Sequence, residues 1–180
     1  MTNNRGQATR RSAGSLLAAA IFVSVAMTAA SPAVAGSKAP LGYQLMCLKT
    51  PAECQGGGGS KVVATGDIMA TLKRVNTHVN NAITPRNDSG ADVWNASATS
   101  GDCEDYVLAK RRALIKAGLP PSSLRIAYVK TRGGVGHAIL VVMTTKGDFV
   151  LDNLNRSVRP LSQSGYRIIS MSGANPQQWS

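Results

Sequence analysis

Ile68, Leu72, Val75, Val79 and Ile83 step along the chain by four, three, four and four. That is the period of one helical face, and it predicts an amphipathic helix through "GDIMATLKRVNTHVNNAIT". His78 falls beside the stripe, as a surface residue, and Asn76, Asn80 and Asn81 share the polar side. A second helix reads from "SGDCEDYVLAKRRALIKAGLPP", residues 100–121. Val107, Leu108, Leu114 and Ile115 make its buried stripe, and Lys110, Arg111, Arg112 and Lys116 sit in the half that favours cations. Asp102 is placed to accept the free N–H groups of the first turn, and Gly118-Leu119-Pro120-Pro121 is a stop signal.

Beyond residue 121 the period shortens to that of strands. "LRIAYVK" (124–130), "HAILVVM" (137–143), "DFVLDNL" (148–154) and "YRIISM" (166–171) are β-rich runs. The short turns "TRGGVG" and "TTKG" between them force antiparallel neighbours. Helices followed by an antiparallel sheet predict an α+β domain with the helices packed on one face. Between the helices, residues 84–101 form a connection rich in Pro, Gly, Asn and Ser that carries Asp92 and Trp94. A loop this long in a small domain is functional or packed down by its own side chains, and Trp94 is its expected anchor.

The N-terminal stretch belongs to neither pattern. Arg5, Arg10 and Arg11 precede an uncharged run from Ala13 to Ala30, and Ala33-Val34-Ala35 stands before Gly36. This is the anatomy of a secretory signal peptide. An uncleaved anchor is the alternative, because the run approaches spanning length, but its alanine content and Ala-x-Ala end favour cleavage. The expected organisation is a signal peptide at 1–35, a strap at 36–60 and a domain at 61–180. The strap ends in the glycine-rich "QGGGGS", a flexible joint by composition.

Composition changes this picture in two ways. The chain of 180 residues carries 20 Lys+Arg against 9 Asp+Glu, and removal of the three leader arginines leaves 17 against 9. So basic an exported protein is either soluble with a positive surface or associated with the anionic cell envelope. Aromatics are only 4% and no basic tract stands out, which argues against a nucleic-acid partner. A monomer is the expected state. The three cysteines divide unequally: Cys47 and Cys54 bracket "CLKTPAEC", where export favours a disulfide over a metal pair, and Cys103 is left as a candidate reactive thiol.

A nucleophilic thiol needs a base, and of two histidines His137 begins a strand directly after glycines. If "TTKG" is a hairpin turn, Asp152 lies opposite His137 or on its diagonal, while a one-residue slip presents Asn153 instead. Either residue would orient the imidazole. The acids around Cys103 are the unexpected feature. Asp102, Glu104 and Asp105 oppose the helix terminus that favours a thiolate, unless they cap the helix or a cation neutralises them. Calcium, which prefers carboxylate oxygens, is the cation that exported proteins meet.

"GDCEDYVLAKRRALIKAGLPPSSLRIAYVK", "GHAILVV" and "FVLDN" resemble the bacterial transglutaminase-like cysteine peptidases, with similarity from about Leu72 to Trp179 that includes "VNTHVNNAI" and "ADVW". The resemblance implies a papain/transglutaminase-like core and a triad of Cys103, His137 and Asp152. It also implies that Asp102 and Glu104 ligate calcium, with Asp105 as a candidate further ligand. It implies a protein or peptide substrate too, since better-understood relatives are periplasmic proteases that cut a surface adhesin and release biofilm. Other uses of the same Cys-His-polar order are a cell-wall amidase or acyl transferase, and a binding module with a vestigial triad is the non-enzymatic reading.

Overall fold

The computed structural model describes residues 1–2 and 39–180. Apart from its first two residues, the signal peptide expected at 1–35 therefore lies outside the described residues. Among those described, no helix is long and apolar enough to cross a membrane.

Among the described residues, three α-helices and a five-stranded antiparallel sheet make up most of the fold. The helices are α1 (Leu41–Lys49), α2 (Gly66–Ala82) and α3 (Cys103–Lys116). The sheet strands are β3 (Leu124–Lys130), β4 (Gly136–Val142), β5 (Phe149–Leu151), β6 (Arg159–Pro160) and β7 (Arg167–Met171), in the order β6-β5-β4-β3-β7. The connection at 84–101 is closed by two dipeptide strands, β1 (Thr84–Pro85) and β2 (Ser100–Gly101), which pair in parallel.

Local chemistry sets the boundaries of the helices. The Thr65 hydroxyl accepts the Ile68 N–H and starts α2. At the end of α3, Gly118 takes φ +92°, a conformation a Cβ disfavours, and Leu119 and Gly118 donate back to the carbonyls of Leu114 and Ile115. Those two bonds are a Schellman motif, which converts the glycine signal into a sharp stop.

Alternate residues of β3 and β4 divide between two apolar layers. Leu124, Ile126, Ala138, Leu140 and Val142 join Leu72, Val79, Val107, Leu108 and Leu114 of the helices in the main core. Ala127, Val129, Ile139, Val141 and Val150 form a smaller layer covered by Leu161, Tyr166 and Met171. Because both faces are covered, β4 is apolar at nearly every position after His137.

The strap joins the same main core through Tyr43 and Met46 of α1. Tyr43 packs edge-on against Trp94 at 5.3 Å and Trp179 at 5.5 Å, so Trp94 pins the long connection as expected. Cys47 and Cys54 form the disulfide, and the buried Arg111 of α3 donates to the Glu53 and Gln55 carbonyls on either side of Cys54. The glycine joint is not loose: Gly57 exchanges two hydrogen bonds with Ser122.

Two expectations need correction. The strand expected over 148–154 ends at Leu151, because α2 takes the next residue's backbone. Asn76 Oδ1 accepts the Asp152 N–H and Asn80 Nδ2 donates to the Asp152 carbonyl, so neither group is left for a ladder. Asn76 is accordingly fully buried rather than on a solvated polar side, and its amide nitrogen also donates to the carbonyls of Asn155 and Arg156.

Candidate active site

Cys103 is the first residue of α3, with Asp102 at the N-cap. Its sulfur accepts the Ala138 N–H at 3.3 Å, which fixes the helix start against β4 one residue beyond His137. The S–H donates to Glu104 Oε2 at 3.2 Å.

His137 and Asp152 meet across the β4–β5 register. Leu140 pairs with Leu151 and Val142 with Phe149, which puts His137 and Asp152 on a diagonal. Both are buried, and His137 Nε2 lies 2.9 Å from Asp152 Oδ1. A carboxylate only accepts, so Nε2 carries the proton and Nδ1 is left as a bare acceptor. Asp152 Oδ1 also accepts the Leu154 N–H, and Oδ2 accepts the Tyr166 hydroxyl at 2.5 Å. Burial alone would raise the pKa of Asp152. The bonds from His137, Tyr166 and Leu154 outweigh it and hold the carboxyl below its ordinary value. Asn153, the residue a slipped register would present, lines the cleft and does not bond the ring.

Cys103 and His137 together line two clefts. One, of about 310 Å³, is walled by Arg86, Asn87, Thr131, Asn153 and Leu154. The other, of about 460 Å³, extends to Pro40, Tyr128 and Ser170.

The acids divide differently from the sequence expectation. Asp102 makes no capping bond; Oδ2 accepts the Asp88 N–H at 3.4 Å, and its buried Oδ1 has no hydrogen-bond partner. Asp88, Asp102 and Glu104 each bring an oxygen to within 4.8 Å of the others. Asp105 Oδ1 instead accepts the Asn95 N–H at 2.8 Å and so holds the connection down. Burial, then the nearby Asp92 and Asp102 carboxylates, push the pKa of Glu104 up to about 9. Burial, then Glu104, push the Cys103 thiol up to about 12. Carboxylates crowded in this way, with Glu104 buried, Asp102 half-buried and one Asp102 oxygen orphaned, fit a hard cation bound through oxygen.

Asn76, Asp88 and Tyr166 are the side chains that reading the sequence missed. Asn76 carries a faint signal, an amide beside an apolar stripe, whereas nothing local distinguishes Tyr166 from a strand-entry aromatic.

An α+β domain that sets a cysteine at a helix terminus beside a buried His–Asp pair has the layout of a thiol hydrolase. The family model of the bacterial transglutaminase-like cysteine proteinases, BTLCP, matches residues 33–180, and the chain belongs to that family of cysteine peptidases. Solved structures of Legionella pneumophila LapG share the fold. The calcium-bound form is 23% identical, with a TM-score of 0.55 over 59% of this chain and 66% of LapG. The EGTA-treated form is 22% identical, with a TM-score of 0.52 over 58% of this chain and 62% of LapG. This chain thus spans less than two thirds of the LapG chains it matches. No curated protein gives a match.

Proposed function

We propose that this protein is an exported cysteine endopeptidase that cleaves a protein of the cell surface, with Cys103 as nucleophile, His137 as general base and acid, and Asp152 as the group that orients the ring. The observation that carries the reading is the His137–Asp152 bond at 2.9 Å beside a thiol that lines the same two clefts. Two clefts that share Cys103 and His137 in their lining suit an extended peptide passing the thiol.

The chemistry follows from the tautomer. His137 Nδ1 takes the thiol proton as sulfur attacks the amide carbonyl, and the resulting imidazolium gives that proton to the leaving amine. Water then attacks the thioester while His137 takes its proton, and sulfur leaves with the proton returned. Backbone N–H groups at the start of α3 are the available donors for the oxyanion. Asp88, Asp102 and Glu104 would hold calcium. Bound there, the ion supplies positive charge that offsets the acids raising the thiol's pKa.

The test is digestion of the secreted and surface protein fraction by wild type and Cys103→Ala, read by mass spectrometry. New peptide termini produced by the wild type alone are the expected result. Identical termini in both, or cleavage of purified peptidoglycan without protein cleavage, would overturn the reading.

A further inference from the structure

Asp152 has no free oxygen. Oδ1 accepts from His137 and from the Leu154 N–H, each at 2.9 Å, and Oδ2 is taken by the Tyr166 hydroxyl. A carboxylate bonded at both oxygens cannot rotate without breaking a charge-assisted hydrogen bond. Tyr166 also reaches the imidazole itself, with ring centroids 5.7 Å apart and planes tilted by 51°. One side chain, entering from the residue before β7, therefore touches both members of the buried pair.

We propose that Tyr166 is a positioning residue for peptide cleavage, locking Asp152 and through it the His137 ring in the orientation that proton transfer requires. The proposal rests on the roles given above to Cys103, His137 and Asp152. Burial, then Asp152, push the phenol up to about 12, so it remains a donor throughout the neutral range. The other charged groups bearing on the cluster are Arg159, whose guanidinium lies 5.8 Å from the Tyr166 ring, and Lys110 of α3, whose charge acts on Asp152. From α2 only the neutral amides of Asn76 and Asn80 bond this segment.

Tyr166→Phe keeps the ring and removes the bond. On a peptide substrate kcat should fall by about tenfold, the scale of one hydrogen bond to a charged group, with KM held. The pH–rate profile should move to higher pH, because a carboxylate that has lost a donor holds the imidazole proton more strongly. A second readout needs no turnover: NMR titration of the imidazoles in Cys103→Ala, with His78→Asn to assign the two histidines. The His137 midpoint should rise when Tyr166→Phe is added. It should fall when 3-fluorotyrosine, a stronger donor of the same shape, replaces Tyr166, a substitution that also covers failure of the Phe variant to fold. A lowered kcat or melting temperature with an unmoved midpoint would overturn the proposal and leave Tyr166 as packing. A midpoint that moves in a protein whose wild type cleaves nothing would sink the peptidase reading while the Tyr166 linkage stands.

Discussion

The direction of the proton on His137 is decided by charge on Asp152, because a carboxylate cannot donate and an amide can. Asp152→Asn keeps the size of the side chain and its place at the end of β5, but can turn an NH2 toward Nε2 and force the imidazole proton onto Nδ1. A ring protonated there cannot accept the thiol proton. Activity should fall by about 10⁴ in kcat and leave a measurable trace, whereas Cys103→Ala and His137→Ala leave none. Steady-state kinetics on one peptide substrate checks all three, and Asn153→Ala serves as the register control. A larger loss in Asn153→Ala than in Asp152→Asn would reassign the orienting residue. The His137–Asp152 contact was readable from the chain, since the "TTKG" turn limits the pairing to a few registers and side-chain alternation limits those to two residues. Tyr166 and Asn76 were not readable, because their partners lie 14 and 76 residues away and only the folded chain brings them together.

Elements were legible where their apolar residues point inward, and α1 shows the converse. Leu41, Leu45 and Leu48 are 70%, 47% and 79% exposed, while Tyr43 and Met46 turn into the core, so its strongest apolar signal lies on the wrong face. The strap holding α1 is tied down covalently, and counting thiols in the denatured, unreduced protein should give one. Reduction should cost about 2.5 kcal/mol for so short a loop, read from urea unfolding with and without reductant. Helix α3 carries a different strain. Lys110 is fully buried, with no hydrogen-bond partner for Nζ and the Tyr106 ring 5.7 Å away. Burial pushes its pKa down to about 7, against the pull of Asp152. Between pH 7 and roughly 10.4 the unfolded chain therefore holds a proton that the folded chain does not, and this group's penalty disappears as pH rises. Lys110→Met has no such penalty. It should be more stable than wild type by the largest margin below pH 7, with the margin shrinking by at most about 1.4 kcal/mol per unit toward pH 10. Glu104 contributes the opposite slope below pH 9 in both proteins, so the difference between them isolates Lys110. A margin constant across pH would mean that the amine stays charged and hydrated.

At the scale of the molecule, the acids behind Cys103 join the connection at 84–101 to the start of α3. Asp88 comes from the connection between β1 and β2, and Asp102 and Glu104 come from the start of α3. Holding three carboxylates within 4.8 Å opposes folding, and a divalent cation bound only by the folded state reverses that opposition. Calcium at a hundredfold excess over Kd stabilises by about 2.7 kcal/mol, or roughly 5–10 °C in Tm for a domain of this size. The contributions of individual acids then separate by sign. Asp88→Asn removes one repelling charge and one ligand, so it should melt higher than wild type in EGTA and lose most of the rise on adding calcium. Asp105→Asn should keep the rise, because Asp105 bonds Asn95 and the amide oxygen that replaces its carboxylate still accepts that N–H. Magnesium, which demands a tighter octahedral shell and sheds water reluctantly, should give a smaller shift than calcium at equal concentration. Differential scanning calorimetry of the three proteins in EGTA, calcium and magnesium reads all of these without a substrate. If Asp105→Asn abolishes the calcium response and Asp88→Asn preserves it, the ligands are the three acids adjacent in sequence, and the connection is only a cover over them.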